Sequence, residues 1–453
     1  MSFPTDFVWG AASSSYQIEG ATNIDGKGLS IWDIFCQSPG KIAENFSGEI
    51  ACDHYHRFEE DIQLMARIGM QAYRLSISWP RVLPEGRGRI NAKGLSFYDR
   101  LIDSLLSHKI EPWVTLFHWD YPYQLYHQGG WLNSDSSNWF ADYTKVVVDK
   151  LSDRVRYWIT LNEPQCFIGF GYQTGKHAPG LTLPLSEVLR AAHNVLLAHG
   201  KATQVIRASA RKSPRVGPAL VGLVKMPKTE SSAYINLAQD ATFAIVEKNV
   251  LNNTWFTDPM ILGHYPKDGL KLFELALPRI QGSDMKTISQ ELDFCGINVY
   301  FGEYAKATND RKITSCPPGR GQTTMGWPVT PEVLYWGPKF FYERYKLPIV
   351  VTENGMANCD WVHSDNKVHD PQRIDFLTRH LIQIKRSIND GIPTKGYFVW
   401  SILDNFEWTF GFQQRFGLIY VDYSNQKRIL KDSALWYQQI INTNGQCVIN
   451  ENS

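Results

Sequence analysis

Arg156-Tyr157-Trp158-Ile159-Thr160-Leu161-Asn162-Glu163-Pro164 is a β-branched and aromatic run that closes on a carboxylate. A second run, Leu347-Pro348-Ile349-Val350-Val351-Thr352, leads into Glu353-Asn354-Gly355 in the same way. Both read as buried strands. Neither tolerates an unpaired charge inside a core, so each carboxylate is expected at a strand tip, facing a polar cleft.

Working outward, strand-like and helix-like segments alternate. Phe7 to Gly10 reads as the first strand, followed by a helix from His56 to Met70 with Phe58, Ile62, Met65 and Ile68 on one face. Glu59, Glu60 and Asp61 are assigned to its first turn, and Gly69 to its end. Tyr73 to Trp79 reads as a strand, and Leu95, Tyr98, Leu101, Ile102 and Leu105 form the next helical stripe. Further strands are Glu111 to Trp119, Arg215 to Gly222, Leu292 to Tyr300 and Tyr397 to Leu403. Before the last of these, Asp370-Pro371 provides an N-cap and first-turn proline for a helix closed by Gly391, with Ile374, Leu377, Leu381, Ile384 and Ile388 as its stripe.

With the two glutamate-tipped runs, the strands number eight, most of them followed by a helix. Apolar on both faces, they predict a parallel sheet. Eight units predict an α/β fold of one (β/α)8 TIM barrel with elaborated βα loops, a single domain over 1–453, its site at the strand C-termini. The competing open doubly wound sheet normally carries a glycine-rich phosphate loop, and neither GxGxxG nor a Walker motif occurs.

Composition narrows the function classes. The 46 Lys plus Arg balance 45 Asp plus Glu, which argues against a nucleic-acid or anionic-membrane partner. No apolar stretch approaches the roughly 20 residues that span a bilayer. The amino terminus lacks the pattern of a secretory signal. Seven cysteines (36, 52, 166, 295, 316, 359 and 447) stand singly without CxxC, as expected of reduced thiols in a cytoplasmic protein. The chain is rich in aromatics, with 15 Trp, 21 Tyr and 23 Phe. Such content serves a large core, or a sugar site in which pyranose faces stack on indole rings.

In barrel terms, Gln17, Arg74, His118-Trp119, Asn162-Glu163, Asn298, Tyr300, Glu353, Trp400 and Glu407-Trp408 fall at or just past strand ends. Each alone has a structural explanation, such as a helix cap or a core histidine. Arg74 is the hardest to explain away, because an arginine flanked by apolar strand residues must find a carboxylate, and Glu353 is the candidate. Their convergence on one barrel face favours function. Two carboxylates facing one cleft are the minimum equipment for cutting a glycosidic bond. Asp53-His54-Tyr55-His56 contains an HxH pair without a convincing third ligand, so no metal or cofactor is expected. No GxSxG nucleophile elbow occurs.

These motifs carry a resemblance along nearly the whole chain. Phe7-Val8-Trp9-Gly10-Ala11-Ala12-Ser13-Ser14-Ser15-Tyr16-Gln17-Ile18-Glu19-Gly20, Thr160 to Pro164, Thr352 to Gly355, and Trp400 to Trp408 with Arg415-Phe416-Gly417-Leu418 resemble glycoside hydrolase family 1, the β-glucosidase family. The resemblance implies hydrolysis of terminal β-linked sugars with retention, without a cofactor. It implies Glu163 as acid/base and Glu353 as nucleophile, with Arg74, Asn298 and Tyr300 tuning the nucleophile and contacting the 2-hydroxyl. It assigns the glycone to Gln17, His118, Trp119, Asn162, Trp400, Glu407, Trp408 and Phe416, and the aglycone platform to Trp327. Relatives acting on 6-phosphorylated sugars replace the glutamate at 407, thioglucosidases replace the acid/base with glutamine, and non-catalytic relatives lose a catalytic carboxylate. Glu407, Glu163 and Glu353 are all present. The implied partner is a small β-glycoside. A transglycosidase shares the first half-reaction, and a non-catalytic sugar-binding barrel is the remaining alternative. The loop 308–324 matches the pattern least, so the aglycone stays open, as do the choice among glucose, galactose and fucose and the oligomeric state.

Overall fold

The computed structural model describes residues 2–305 and 319–450. Cys316 and the part of the 308–324 loop up to residue 318 lie outside them. Eight strands build the frame: β1 Val8–Ala12, β2 Ala72–Ser76, β3 Glu111–Phe117, β4 Tyr157–Asn162, β5 Arg215–Val221, β6 Cys295–Asn298, β7 Ile349–Asn354 and β8 Thr394–Trp400. They pair in parallel in chain order, and β8 closes on β1. This is the (β/α)8 barrel expected from the alternation.

Two apolar layers follow from the period-2 geometry of strands. Ala12, Ala72, Trp113, Ile159, Ala219, Val350 and Phe398 fill the barrel interior, below a lid of Trp400 and Phe416. A separate cluster packs between strands and helices and takes the alternate positions, such as Tyr73, Leu75, Val114, Val351 and Val399. Arg74 lies two residues beyond Ala72 on the inward face of β2, so its guanidinium enters the barrel from below the mouth.

Two strands depart from regular register. Between Ile159 and Asn162, β4 advances three residues while β5 advances two. Between Val351 and Glu353, β7 advances two while β6 advances one. Each glutamate-bearing strand therefore carries one extra residue just before its carboxylate, a bulge that re-aims the side chains at the tip. Gly355 permits the close approach that follows, since a Cβ there would lie 1.9 Å from the Trp400 carbonyl.

The helical stripes pack as read, with corrections at the ends. The first long helix spans His54–Ile68, and Gly69 at φ 84 ends it. It starts two residues earlier than read, so Glu59, Glu60 and Asp61 lie beyond its first turn, and Asp61 turns inward to pair with Arg428 at 2.8 Å. His54 and His56 of the HxH pair hydrogen-bond to Asp61 and Asp53. The strand read to Trp79 stops at Ser76, and Trp79–Val82 is a helical turn. Asp370 sits at the N-cap of Pro371–Asn389, but its carboxylate accepts from the Ser433 amide and hydroxyl, tying two helices together. Among the described residues, no helix is long and apolar enough to cross a membrane.

A buried ionic brace holds the loop after β8. Lys431 Nζ contacts Asp404 at 2.7 Å and Asp360 at 2.6 Å, and Arg415 contacts Asp404 at 2.6 Å. Asp404 also accepts from the Gly417 amide. Asp404→Ala takes one of two carboxylates from the fully buried Lys431 and the carboxylate from Arg415, and is expected to lower the unfolding free energy by about 3 kcal/mol. Urea denaturation monitored by tryptophan fluorescence measures it.

Candidate active site

At the C-terminal mouth of the barrel lies a cleft of about 630 Å3. Its lining includes Glu163, Glu353, Asn298, Tyr300, His118, Trp119, Trp327, Trp400, Glu407, Trp408 and Phe416. A larger groove of about 820 Å3, lined in part by Arg320, Gln372 and Arg379, contains neither glutamate. Chemistry rather than size therefore selects the cleft.

Three expected residues stand behind the cleft wall. Arg74 is buried and donates to the Glu353 carboxylate, to the Thr352 carbonyl at 3.2 Å and to Asn162 Oδ1 at 2.5 Å. The arginine thus meets the carboxylate proposed for it from sequence. Asn162 Oδ1 also accepts from Asn298 Nδ2 at 3.0 Å. Two donors on that oxygen fix the amide's orientation, so its Nδ2 donates to His118 Nε2 at 3.1 Å. His118 consequently carries its proton on Nδ1, which is buried without a partner among the described residues. Gln17, fully buried, donates to Asn405 Oδ1 and the Phe406 carbonyl at 3.0 Å each, and to Glu407 Oε2 at 3.5 Å.

The two strand-tip glutamates meet different neighbours. Glu353 has Arg74 on one oxygen and the Tyr300 hydroxyl on the other at 2.7 Å. Glu163 has Asn298 Nδ2 at 3.0 Å on Oε1. Burial raises both carboxyls, but for Glu353 it is opposed by Arg74 and by hydrogen bonds from Tyr300 and Asn298. Glu163 is pushed up to about 8, first by burial and then by the charge of Glu353. The pair accordingly gives up its first proton from Glu353. Glu407 is also pushed up to about 8, by burial and then by the charges of Glu353 and Glu163. Burial, then the charge of Arg74, holds His118 well below the usual imidazole range, so it is neutral.

Aromatic rings form two walls. Trp408 stacks on Trp119 at 4.5 Å, and Trp400 faces His118 at 5.8 Å. Across the mouth, Trp327 lies 5.1 Å from Tyr300 and 6.1 Å from Phe416. Trp119, Glu163 and Trp408 all adopt positive φ, at 78°, 48° and 49°. Such left-handed backbone costs a non-glycine residue about 1–3 kcal/mol and points these three side chains into the cleft.

Some contributors escaped the sequence reading. Asn405, Thr352 and Thr115 orient Gln17, Asn298 and Arg74 by hydrogen bonds. Asn405 was within the quoted Trp400–Trp408 motif and offered that signal. Val221 at the end of β5, and Leu223, Val224 and Lys225 just past it, complete the rim. The strand itself was read correctly, but its mainly apolar tip gave no chemical signal. Cys166, one turn after Glu163, also lines the cleft.

The chain matches the family model for Glycosyl hydrolase family 1 over residues 1–446. A 1,4-beta-D-glucan glucohydrolase of Thermotoga neapolitana is 44% identical over 446 residues, covering 98% of this chain and 99% of its own. Beta-glucosidase A of Thermotoga maritima is 44% identical over 447 residues, covering 98% of both chains. The solved structure of a beta-glucosidase from Thermotoga maritima in complex with glucoimidazole matches with a TM-score of 0.91 at 43% identity, over 98% of this chain and 99% of that one. With a closed barrel, two glutamates at its mouth and a full-length match, the chain belongs to glycosyl hydrolase family 1.

Proposed function

We propose that the chain is a retaining β-glucosidase that removes terminal β-D-glucosyl residues from oligosaccharides or from aryl and alkyl β-glucosides. Residues 1–453 act as one catalytic unit. The observation that carries this reading is the unequal environment of Glu163 and Glu353 within one cleft. Relatives named for β-glucosidase and glucan glucohydrolase activity support the glucosyl preference and a place in carbohydrate metabolism, including cellulose breakdown. Free thiols at all six described cysteines support a cytoplasmic setting.

Glu353, ionised against Arg74, attacks the anomeric carbon while Glu163 donates its proton to the leaving oxygen. A glycosyl ester on Glu353 results, and the aglycone leaves as an alcohol. Glu163, now ionised, takes a proton from water, whose oxygen attacks the anomeric carbon and frees Glu353. In retaining enzymes the two carboxyl groups stand about 5–5.5 Å apart, which leaves no room for a water between the nucleophile and the sugar. His118 Nδ1–H, a buried donor without a partner among the described residues, suits a glycone hydroxyl. Trp327 offers an aromatic face to the aglycone.

Glu353→Ala is expected to lower turnover of aryl β-glucosides by at least roughly 10⁴-fold. Added azide, entering where the carboxylate stood, should restore turnover and yield the α-glucosyl azide. A fully active Glu353→Ala protein would overturn the assignment.

The proton states also set a pH profile. With Glu163 at about 8, kcat/KM is expected to fall as pH rises through that value, because the acid is lost. It falls again at low pH, where Glu353 takes up a proton and loses its nucleophilicity. Glu353→Gln removes the charge that helps raise Glu163, so the Glu163 titration followed by carboxyl NMR should move down. An unmoved titration would show that burial alone sets it.

A further inference from the structure

Past the barrel, the segments that continue β5 and β6 pair once more. The short strands Val224–Met226 and Gly302–Tyr304 run parallel, and Lys225 stands directly opposite Glu303. Side chains alternate between the two faces of a strand. Val224 and Met226 turn into the apolar core, which leaves Lys225 on the other face with Leu223. On the partner strand Glu303 shares its face with Phe301, whose ring lies 5.6 Å from Trp327. Lys225 Nζ meets Glu303 Oε2 at 2.7 Å, and both residues line the cleft with Trp327. The Lys225 amide donates to Thr242 Oγ1 at 3.0 Å, which anchors its backbone. Val221 pairs with Asn298, the residue that reaches Glu163, and Lys225 follows four residues later. Four residues of extended chain reach at most about 14 Å. The ion pair thus stands outside the layer of the two catalytic carboxyls, on the side where Trp327 stands.

We propose that Lys225 and Glu303 form a hydroxyl-binding clamp at the outer end of the cleft and select a saccharide over an apolar aglycone. This inference rests on the β-glucosidase reading and names the class of leaving group that it left open. The leaving sugar lies against Trp327 and reaches the pair through its hydroxyls. As a structural link the pair has little to contribute, since its side chains are 17% and 36% exposed and an ion pair so open to water stabilises weakly. Its neighbours along this wall, Leu223, Phe301, Met325 and Trp327, are apolar. The contact between Nζ and Oε2 leaves further ammonium protons to donate and further carboxylate lone pairs to accept. An alkyl or aryl group laid over the pair would strip its water and return no hydrogen bond. Sugar hydroxyls replace that water in both senses. Because the two charges neutralise each other, the corner suits an uncharged polyol.

The test measures kcat/KM on cellobiose, cellotriose, nitrophenyl β-glucoside and octyl β-glucoside for the parent, Lys225→Met, Glu303→Leu, Glu303→Gln and the double variant Lys225→Met with Glu303→Leu. The readout is the ratio of each oligosaccharide to octyl β-glucoside. In the double variant it is expected to fall by about tenfold for at least one oligosaccharide, because hydrogen bonds to charged groups are lost. Each single apolar variant carries the same expectation at about threefold, so a double variant that fails to fold does not remove the test. Glu303→Gln keeps an acceptor and gains a donor, and should hold the ratio within about twofold of the parent. Ratios unchanged for both oligosaccharides in the apolar variants overturn the clamp. So does a Glu303→Gln ratio as low as that of Glu303→Leu, which would make the ion pair itself the determinant. A parent that cleaves the two glucosides but neither oligosaccharide overturns it as well. A parent that cleaves none of the four overturns the β-glucosidase reading instead.

Discussion

One guanidinium organises the mouth of this barrel. Arg74 enters from β2 beneath the cleft, fully buried, and its charge has to be answered there. Glu353 answers it, and the remaining donors reach Thr352, Asn162 and Thr115. Three consequences follow from that single placement. Glu353 is the carboxyl that stays ionised, since burying Arg74 without it would leave an uncompensated cation worth several kcal/mol. Asn162 is oriented, which orients Asn298, whose amide then reaches Glu163. Burial keeps the His118 ring neutral, and the charge of Arg74 adds to that effect. Two chemically identical glutamates are separated in protonation because one of them, and not the other, touches Arg74.

The backbone around this pair is not relaxed. Bulges precede both glutamates, and three cleft residues adopt left-handed φ without being glycine. At about 1–3 kcal/mol each, those three residues alone represent a cost comparable with a large part of ordinary net stability, about 5–15 kcal/mol. Such geometry persists only where its surroundings over-determine it. The brace of Lys431, Asp360, Asp404 and Arg415 fixes the loop that carries Glu407 and Trp408. Tyr16, Trp32 and Trp119 pack around Trp408 at 6.2, 4.5 and 4.5 Å. The interior layer of Trp113, Phe294 and Phe398 supports the floor, the rings 5.0–5.4 Å apart. Stability elsewhere in the fold sustains the unfavourable conformations at the site.

This division explains what was legible in the sequence. The strand runs, the helical stripes and the carboxylates at strand tips are local signals, and all eight strands overlap the runs those signals mark, although β2 ends at Ser76 rather than Trp79 and β8 spans Thr394–Trp400 rather than Tyr397 to Leu403. Arg74 was legible for a different reason: a buried cation must have a partner, and few candidates existed. Local reading failed where a long-range partner decided the outcome. Asp61 resembles helix-start acidity until Arg428, from the other end of the chain, claims it. Asp370 resembles a helix cap until Ser433 takes its oxygens. The bulges and the positive φ of Glu163, Trp119 and Trp408 left no trace, because no glycine marks them. They are imposed by register between strands and by packing, which a single segment does not encode.

The charge balance of the cleft bears on what it accepts. Of the four glutamates that line the cavity, Glu303 pairs with Lys225 at the rim, which leaves Glu163, Glu353 and Glu407 facing the inner cleft with one guanidinium below it. If all three were ionised, two charges would stand uncompensated in a partly desolvated space, which mutual repulsion resists. Burial and mutual repulsion raise Glu163 and Glu407 and favour their protonated forms, leaving the ion pair of Arg74 and Glu353 as the main charge of the inner cleft. The cleft is then close to neutral. A protonated carboxyl is both donor and acceptor, the same capacity a sugar hydroxyl has, so each can exchange hydrogen bonds with an uncharged polyol in either sense. A phosphorylated sugar entering the same space would draw a proton from neither carboxyl without creating repulsion, and Glu407 stands where its charge would be felt. The arrangement that separates the protonation of Glu163 and Glu353 thus also suits an uncharged ligand.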